Sequence, residues 1–328
     1  MRILIIKTSS LGDVVHMLPA LTDASRRIPG LRADWVVEDS FAAVPAWHPS
    51  VEHVIPIALR RWRKALHQGS TWRALGAARR TLGSRCYDAV IDSQGLLKSA
   101  CLTRWACGLR WGYTFDTCRE PLAALAYDRR VHVPKTLHAI ERNRLLLAHA
   151  LGYTLDGLAL DYGLEHLPQR IPAHPLPLPT RYLIALHGTS RIDKEWPEAH
   201  WVAIGQRLAA QGVGLLLPWG NPHERARAER IAHAIPTAQV LPRLGLDALA
   251  QLLARAEAVL GVDTGLMHIA AALGRPGVAL FPATAPALTG VRAGAQGAPI
   301  LCLTAEDGLK PDQVWPHLAP LLSIPPCA

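Results

Sequence analysis

This 328-residue chain lacks the common signatures of phosphate binding and hydrolysis. It has no Gly-x-Gly-x-x-Gly, no Walker A loop, no Gly-x-Ser-x-Gly and no His-Glu-x-x-His, so the usual P-loop, serine-hydrolase and zincin chemistries find no support. It also lacks Asp-x-Asp, the pair that would present a divalent cation to a diphosphate. Any diphosphate charge must then be met by Lys, Arg, hydroxyls and helix N-termini, and no metal is expected.

Cysteine is sparse and unpatterned. Cys86, Cys101, Cys107, Cys118, Cys302 and Cys327 form no Cys-x-x-Cys pair and no zinc-like spacing with His, which predicts scattered reduced thiols. No apolar run approaches the ~20 residues of a membrane span. The richest stretch, 258–281, is interrupted by Asp263, His268 and Arg275. The apolar start Ile3–Ile6 is cut off at once by Lys7, unlike a secretory signal. These absences predict a cytoplasmic chain without spans. Acidic residues are also outnumbered, giving a net charge of +9 that favours an anionic partner: nucleic acid, membrane surface or phosphorylated substrate.

What is present is alternation. Val- and Ile-rich runs at Arg2–Ile6, Ala33–Val37, Val51–Ile57 and Tyr87–Ile91 predict strands. The Leu and Ala spacing of Val14–Arg27, Thr71–Leu82, Leu96–Ala106 and Ala139–Leu151 predicts helices. A Pro-rich stretch follows, with five prolines between Leu167 and Pro179, and it predicts an extended linker. The alternation then restarts with strands Tyr182–Leu186, Val213–Leu217, Ala258–Leu260 and Val278–Phe281. Helices are expected over Pro197–Ala210, Pro222–Ala234, Leu246–Arg255 and Leu266–Leu273. The expectation is an α/β chain with two parallel-sheet domains, 1–166 and 181–310, joined by a linker at 167–180. A last amphipathic segment within 311–328 is expected to pack back on the first domain.

Two turns stand out. Lys7-Thr8-Ser9-Ser10-Leu11-Gly12-Asp13 follows the first strand, and Asp263-Thr264-Gly265-Leu266-Met267-His268 follows a strand in the second half. Each reads as a strand that stops on small polar residues and feeds a helix, an arrangement that aims backbone N–H groups at an anion. The pairing predicts two α/β halves facing each other across a cleft. Asp13 sits where open sheets place their ligands and is a candidate base, with helix capping as its competing role. His187–Pro197 repeats the logic of strand, hydroxyl loop, cation and helix. Arg60-Arg61-Trp62-Arg63-Lys64 gathers four cations around one Trp, suited to a solvated face, a nucleic acid or an anionic acceptor.

These residues resemble the ADP-heptose:lipopolysaccharide heptosyltransferases, glycosyltransferase family 9, over essentially the whole chain. The resemblance rests on Lys7–Asp13, Phe41–His48, Arg60–Lys64, Asp92–Ser99, Arg119–Leu122, His187–Trp196, Pro218–Glu224 and Val262–His268. Lys-Thr-Ser-Ser-x-Gly-Asp and Arg-Arg-Trp-Arg-Lys look like the members that add the first heptose. The resemblance implies the GT-B architecture of two Rossmann-like domains. It implies an inverting, metal-independent transfer of L-glycero-D-manno-heptose from its ADP donor to the first Kdo of Kdo2-lipid A. It makes Asp13 the general base, with Ser10 and Gly12 beside it on the acceptor side. Thr189, Ser190 and Lys194 would hold the diphosphate together with the backbone of Thr264 and Gly265. Glu224 would take the ribose, Leu244 would face adenine, and Asp263 and His268 would lie near the heptose and phosphate. Arg60, Arg61, Arg63, Lys64 and Arg119 would face the acceptor. No cofactor and no nucleic acid are implied, and the chain would rest on the cytoplasmic face of the inner membrane.

Two other readings compete. One is a transferase of the same family with a different acceptor. The other is a non-catalytic nucleotide sensor whose basic face binds membrane or RNA, for which a base at Asp13 has no use.

Overall fold

The computed structural model describes residues 1–170, 176–189 and 191–323. The chain forms two compact units, Met1–Gly163 and Leu164–Ala328.

In the first unit the strands are β1 (Arg2–Ile6), β2 (Arg32–Glu38), β3 (Val51–Ile57), β4 (Cys86–Asp92), β5 (Cys107–Tyr113) and β6 (Arg129–Val131). They pair in parallel in the order β3-β2-β1-β4-β5-β6. The helices are α1 (Leu11–Val15), α2 (Leu18–Arg27), α3 (Ala43–Trp47), α4 (Leu59–Lys64), α5 (Gly69–Gly83), α6 (Leu97–Thr103) and α7 (Ala139–Leu151). Ile3, Leu4, Ile5 and Ile6 are all fully buried, because a central parallel strand is covered on both faces. The core under α4 and α5 joins Leu4, Ile6 and Val36 to Trp62, Ala78 and Leu82.

The second unit opens with a one-turn helix, α8 (Leu167–Arg170). Its strands are β7 (Tyr182–Leu186), β8 (Gly214–Leu217), β9 (Ala238–Val240), β10 (Ala258–Val262), β11 (Gly277–Phe281) and β12 (Ile300–Thr304). The order β12-β11-β10-β7-β8-β9, again all parallel, is the first unit's order read from the opposite edge. Each sheet therefore reverses direction once, between β1 and β4 and between β7 and β10, and such switch points are where open sheets bind ligands. The helices are α9 (Glu198–Ala210), α10 (Pro222–His233), α11 (Leu246–Arg255), α12 (Gly265–Ala272) and α13 (Pro311–Leu318). Their core is built around Trp196 and Trp201, whose rings meet edge to face with centroids 5.0 Å apart.

Three expectations are corrected. The single helix over Val14–Arg27 is two, α1 and α2, because Pro19 fits only the first turn of a new helix. The stretch after residue 166 is not extended from its start: Leu167–Arg170 is helical, and Gln251 donates to the Pro168 carbonyl at 3.3 Å. Residues 171–175 of the linker lie outside the described residues. Within the second unit, Val314, Leu318 and Leu322 of the terminal segment are apolar members of its core. The reduced-thiol expectation also fails for one pair. Cys86 and Cys107 face each other across the parallel register of β4 and β5 and are joined as a disulfide.

Candidate active site

The first unit places its polar loops at its switch point. Asp13 lies in α1, three residues after Ser10, whose backbone is extended as an N-cap residue requires. Ser10 N and Ser10 Oγ both donate to Asp13 Oδ2, at 2.8 and 3.0 Å. Asp13 Oδ1 receives neither. One oxygen of the carboxylate is thus engaged at the helix start, and the other takes part in neither of these bonds.

Beneath this pair Lys7 is 6% exposed and donates Nζ to the Ser93 carbonyl at 2.9 Å. Burial pulls its pKa below the ordinary lysine value, while Asp13 and Asp92 act in the other direction. Thr8 N and Ser9 N donate to Gln94 Oε1 at 3.1 and 3.2 Å. Asp92, fully buried at the end of β4, accepts from the backbone of Gln94 and Gly95 and from the Tyr127 hydroxyl. Gly12 is buried in the first turn of α1, and Arg119 is exposed with its charge near Lys7.

The cationic run forms α4. Trp62 is turned into the core, so the run is one helix face with an apolar root rather than cations around an exposed ring. Arg61 pairs with Asp39 at 3.1 Å, Arg60 lies over the Phe41 ring at 5.7 Å, and Arg63 and Lys64 are exposed. Arg60 N is anchored on Glu38 Oε1 at 3.0 Å.

In the second unit the loops after β7 and β10 meet. Lys194 Nζ donates to Asp263 Oδ2 at 2.6 Å, and Thr284 Oγ1 donates to the same oxygen at 2.9 Å. Thr189 Oγ1 reaches the Asp263 carbonyl at 3.4 Å. Thr264 is the N-cap of α12 and makes no side-chain cap, which leaves the first-turn amides at Gly265 available to an anion. A Cβ at Gly261 would lie 2.5 Å from the Sδ of Met267 in α12 and 2.8 Å from the Leu186 Cβ of the neighbouring strand, so glycine is what lets Met267 seat α12 this close to the sheet. Ser190 lies outside the described residues.

Glu224, in the first turn of α10, accepts from Gly220 N at 2.6 Å. It stands beside Gly188, where a Cβ would come within 2.7 Å of its carboxyl carbon. Glu224, Gly188, Thr189, Lys194, Asp263 and Thr264 are thus one neighbourhood. His268 is in the same helix as Gly265 but is 5% exposed, so it is more deeply set than a residue facing that neighbourhood alone. Leu244 is half-buried in the segment before α11. Sequence reasoning missed Gln94, Asp92, Tyr127 and Thr284. Only the Asp92–Ser99 stretch, quoted whole, carried any signal for the first two.

A family model described as glycosyltransferase family 9 (heptosyltransferase) matches residues 75–313. Over 292 residues the chain is 48% identical to lipopolysaccharide heptosyltransferase 1 of Escherichia coli K12, covering 88% of this chain and 90% of that one. Among solved structures, the E. coli heptosyltransferase WaaC with ADP superposes with a TM-score of 0.90 at 44% identity, over 98% of this chain and 100% of that one. The same enzyme with ADP-2-deoxy-2-fluoro heptose gives a TM-score of 0.83 at 45% identity, over 92% and 93%.

Proposed function

The chain belongs to glycosyltransferase family 9, the heptosyltransferases, and we propose that it transfers L-glycero-D-manno-heptose from ADP-heptose to the first Kdo of Kdo2-lipid A. The observation that carries the reading is the different chemistry at its two switch points. One holds a carboxylate fixed through a single oxygen, and the other holds a lysine, hydroxyls and an open helix start.

A sugar hydroxyl is a poor nucleophile at neutral pH, so Asp13 takes its proton as the bond to the anomeric carbon forms. Attack opposite the departing ADP inverts that carbon through an oxocarbenium-like transition state. Negative charge grows on the β-phosphate as the bond breaks, and Lys194, Thr189, Ser190 and the Thr264–Gly265 amides are the groups to meet it. Asp263 holds Lys194 in place until the diphosphate shares it. Glu224 takes the ribose hydroxyls, Leu244 the adenine, and His268 supports the phosphate side of α12. Arg119 and the α4 cations face the anionic acceptor.

No resident metal is assigned a task in this scheme. Among the described residues one group of three potential ligands stands close enough for a cation: Asp34, Glu52 and His53. Asp34 is already matched by Arg85 at 3.2 Å, Arg2 at 3.7 Å and the Tyr87 hydroxyl at 2.9 Å, so this donor set does not suit a further cation.

The same reading has the enzyme rest on an anionic membrane surface from the cytoplasmic side. No helix among the described residues is long and apolar enough to cross a membrane. The first unit carries 22 Lys and Arg against 14 Asp and Glu, whereas the second carries 13 against 12. Eight of those cations lie between Glu52 and Asp88, an interval without a single acid. Within it Trp72 is 62% exposed and donates Nε1 to the Leu66 carbonyl, setting an indole and a leucine among Arg63, Lys64, Arg73, Arg79 and Arg80. Amphipathic, cation-ringed faces of this kind suit an anionic headgroup layer.

The test is mass spectrometry of product formed from ADP-heptose and Kdo2-lipid A. Heptosylated acceptor is expected. Tight ADP binding without any product would replace this reading with a nucleotide sensor.

A further inference from the structure

β4 ends at Asp92, and the turn that follows is built inward. Asp92 Oδ1 accepts from Gln94 N at 2.8 Å and Gly95 N at 3.2 Å, while Oδ2 accepts from the Tyr127 hydroxyl at 2.7 Å. Gly95 closes the turn at φ +66°, in the left-handed region that favours glycine. The Gln94 backbone is thereby held from two sides, and its side chain, 5% exposed, crosses the switch point to the loop after β1.

That loop needs it. Thr8 and Ser9 lie beyond the end of β1, where the sheet ladder supplies no further acceptors, yet they are 0% and 7% exposed. Buried amides without acceptors are costly. The single carbonyl of Gln94 satisfies both, one for each lone pair. The next residue is Ser10, whose N and Oγ orient Asp13. Hydrogen bonds therefore run from Tyr127 through Asp92 to the Gln94 turn and on to Thr8 and Ser9, and the backbone carries the link one residue further to Ser10, which aims the carboxylate.

We propose that Gln94 is a positioning residue of the transfer reaction, acting on Asp13 through the Thr8–Ser10 loop. The assignment rests on Asp13 being the base. Gln94 touches no substrate in this scheme, and its whole effect passes through the placement of the Asp13 carboxylate. Misplacement of a reacting group by about 1 Å costs on the order of 100-fold in rate, with little effect on the binding of a ligand held elsewhere.

A double-mutant cycle tests it. Gln94→Met keeps length and burial but removes the acceptor. It is expected to lower kcat about 10- to 100-fold, with KM for ADP-heptose within about threefold and unchanged far-UV circular dichroism. Placed on Asp13→Asn, the same change is expected to cost less than about twofold, because the group it positions no longer acts as a base. Should the Met variant fail to fold, Gln94→Asn draws the carbonyl back by one methylene and is read the same way. Wild-type kcat in the variant that folds, or an equal loss in both backgrounds, overturns the proposal. A fully active Asp13→Asn enzyme instead overturns the base assignment itself, a result seen in the single mutant before Gln94 is touched.

Discussion

Lys194 and Asp263, 69 residues apart in sequence, form an ion pair at 2.6 Å that ties the loop after β7 to the loop after β10. The cation assigned to the donor diphosphate is thus held beforehand by an acid of the same switch point. Both side chains are under one-fifth exposed, so the pair is partly shielded from solvent. Lys194→Met should weaken ADP binding about 10- to 100-fold in calorimetric titration, the usual worth of a charge-assisted contact. Unchanged ADP affinity would remove Lys194 from the diphosphate site.

Asp13→Asn keeps an oxygen for both Ser10 donors while removing basicity. Melting temperature should stay close to wild type, and kcat should fall roughly 10²- to 10⁴-fold with ADP affinity within a few-fold. The pure capping role predicts the reverse, up to ~2 kcal/mol of lost stability and near-normal turnover in folded molecules.

Turnover should survive EDTA. Lys194, the loop hydroxyls and the α12 start already offset diphosphate charge in this scheme. Activity that vanishes on chelation and returns with Mg²⁺ would contradict it.

The α4–α5 face should be read by salt. Changing Arg60, Arg63 and Lys64 together to Ala should raise acceptor KM and flatten its salt dependence, leaving ADP binding little altered. In vesicle flotation, Trp72→Ala with Arg79→Ala and Arg80→Ala should reduce binding to phosphatidylglycerol vesicles severalfold. Equal flotation with neutral phosphatidylcholine would argue against an electrostatic surface.

Acid should expose a buried histidine in each unit. Burial pushes His48 and His187 down to about 4, from an ordinary value near 6.5. Between those values the unfolded chain takes up protons that the folded chain refuses. Their contribution to stability is therefore complete above pH 6.5 and is lost as pH falls through 4. Comparing wild type with His48→Gln isolates one of them, because glutamine does not titrate. The stability gap between the two should narrow by about 3 kcal/mol from pH 7 to pH 4 in urea titrations. A gap that does not change with pH would show that His48 protonates freely in the folded state.

The strands legible in the sequence were those where burial on both faces leaves an unbroken apolar run, such as Ile3–Ile6 and Tyr182–Leu186. β5 escaped because Cys107-Gly-Leu-Arg-Trp-Gly-Tyr113 mixes two glycines and an arginine into a half-exposed strand. β6 and β9, three residues each, are too short to show a period. At the sites, residues adjacent in sequence were readable as loops. Gln94 was not, because a glutamine in a turn has no pattern of its own and its partners lie 85 and 86 residues away. Nor does any local signal reveal that Lys194 is paired with Asp263.

The lysine struts carry one more consequence. In the first unit Lys7, the residue after β1, reaches the backbone carbonyl of Ser93, the residue after β4; in the second, Lys194, eight residues past the end of β7, reaches the carboxylate of Asp263, the residue after β10. The chain shows no short-period sequence repeat, yet its two halves share a wiring diagram, and in each a lysine from the loop after the first strand reaches the residue after the fourth. Their kinship is written in connectivity rather than in letters. Aligning one half against the other therefore has to start from the strand order, which pairs the turn bearing Gln94 with the turn bearing Thr264.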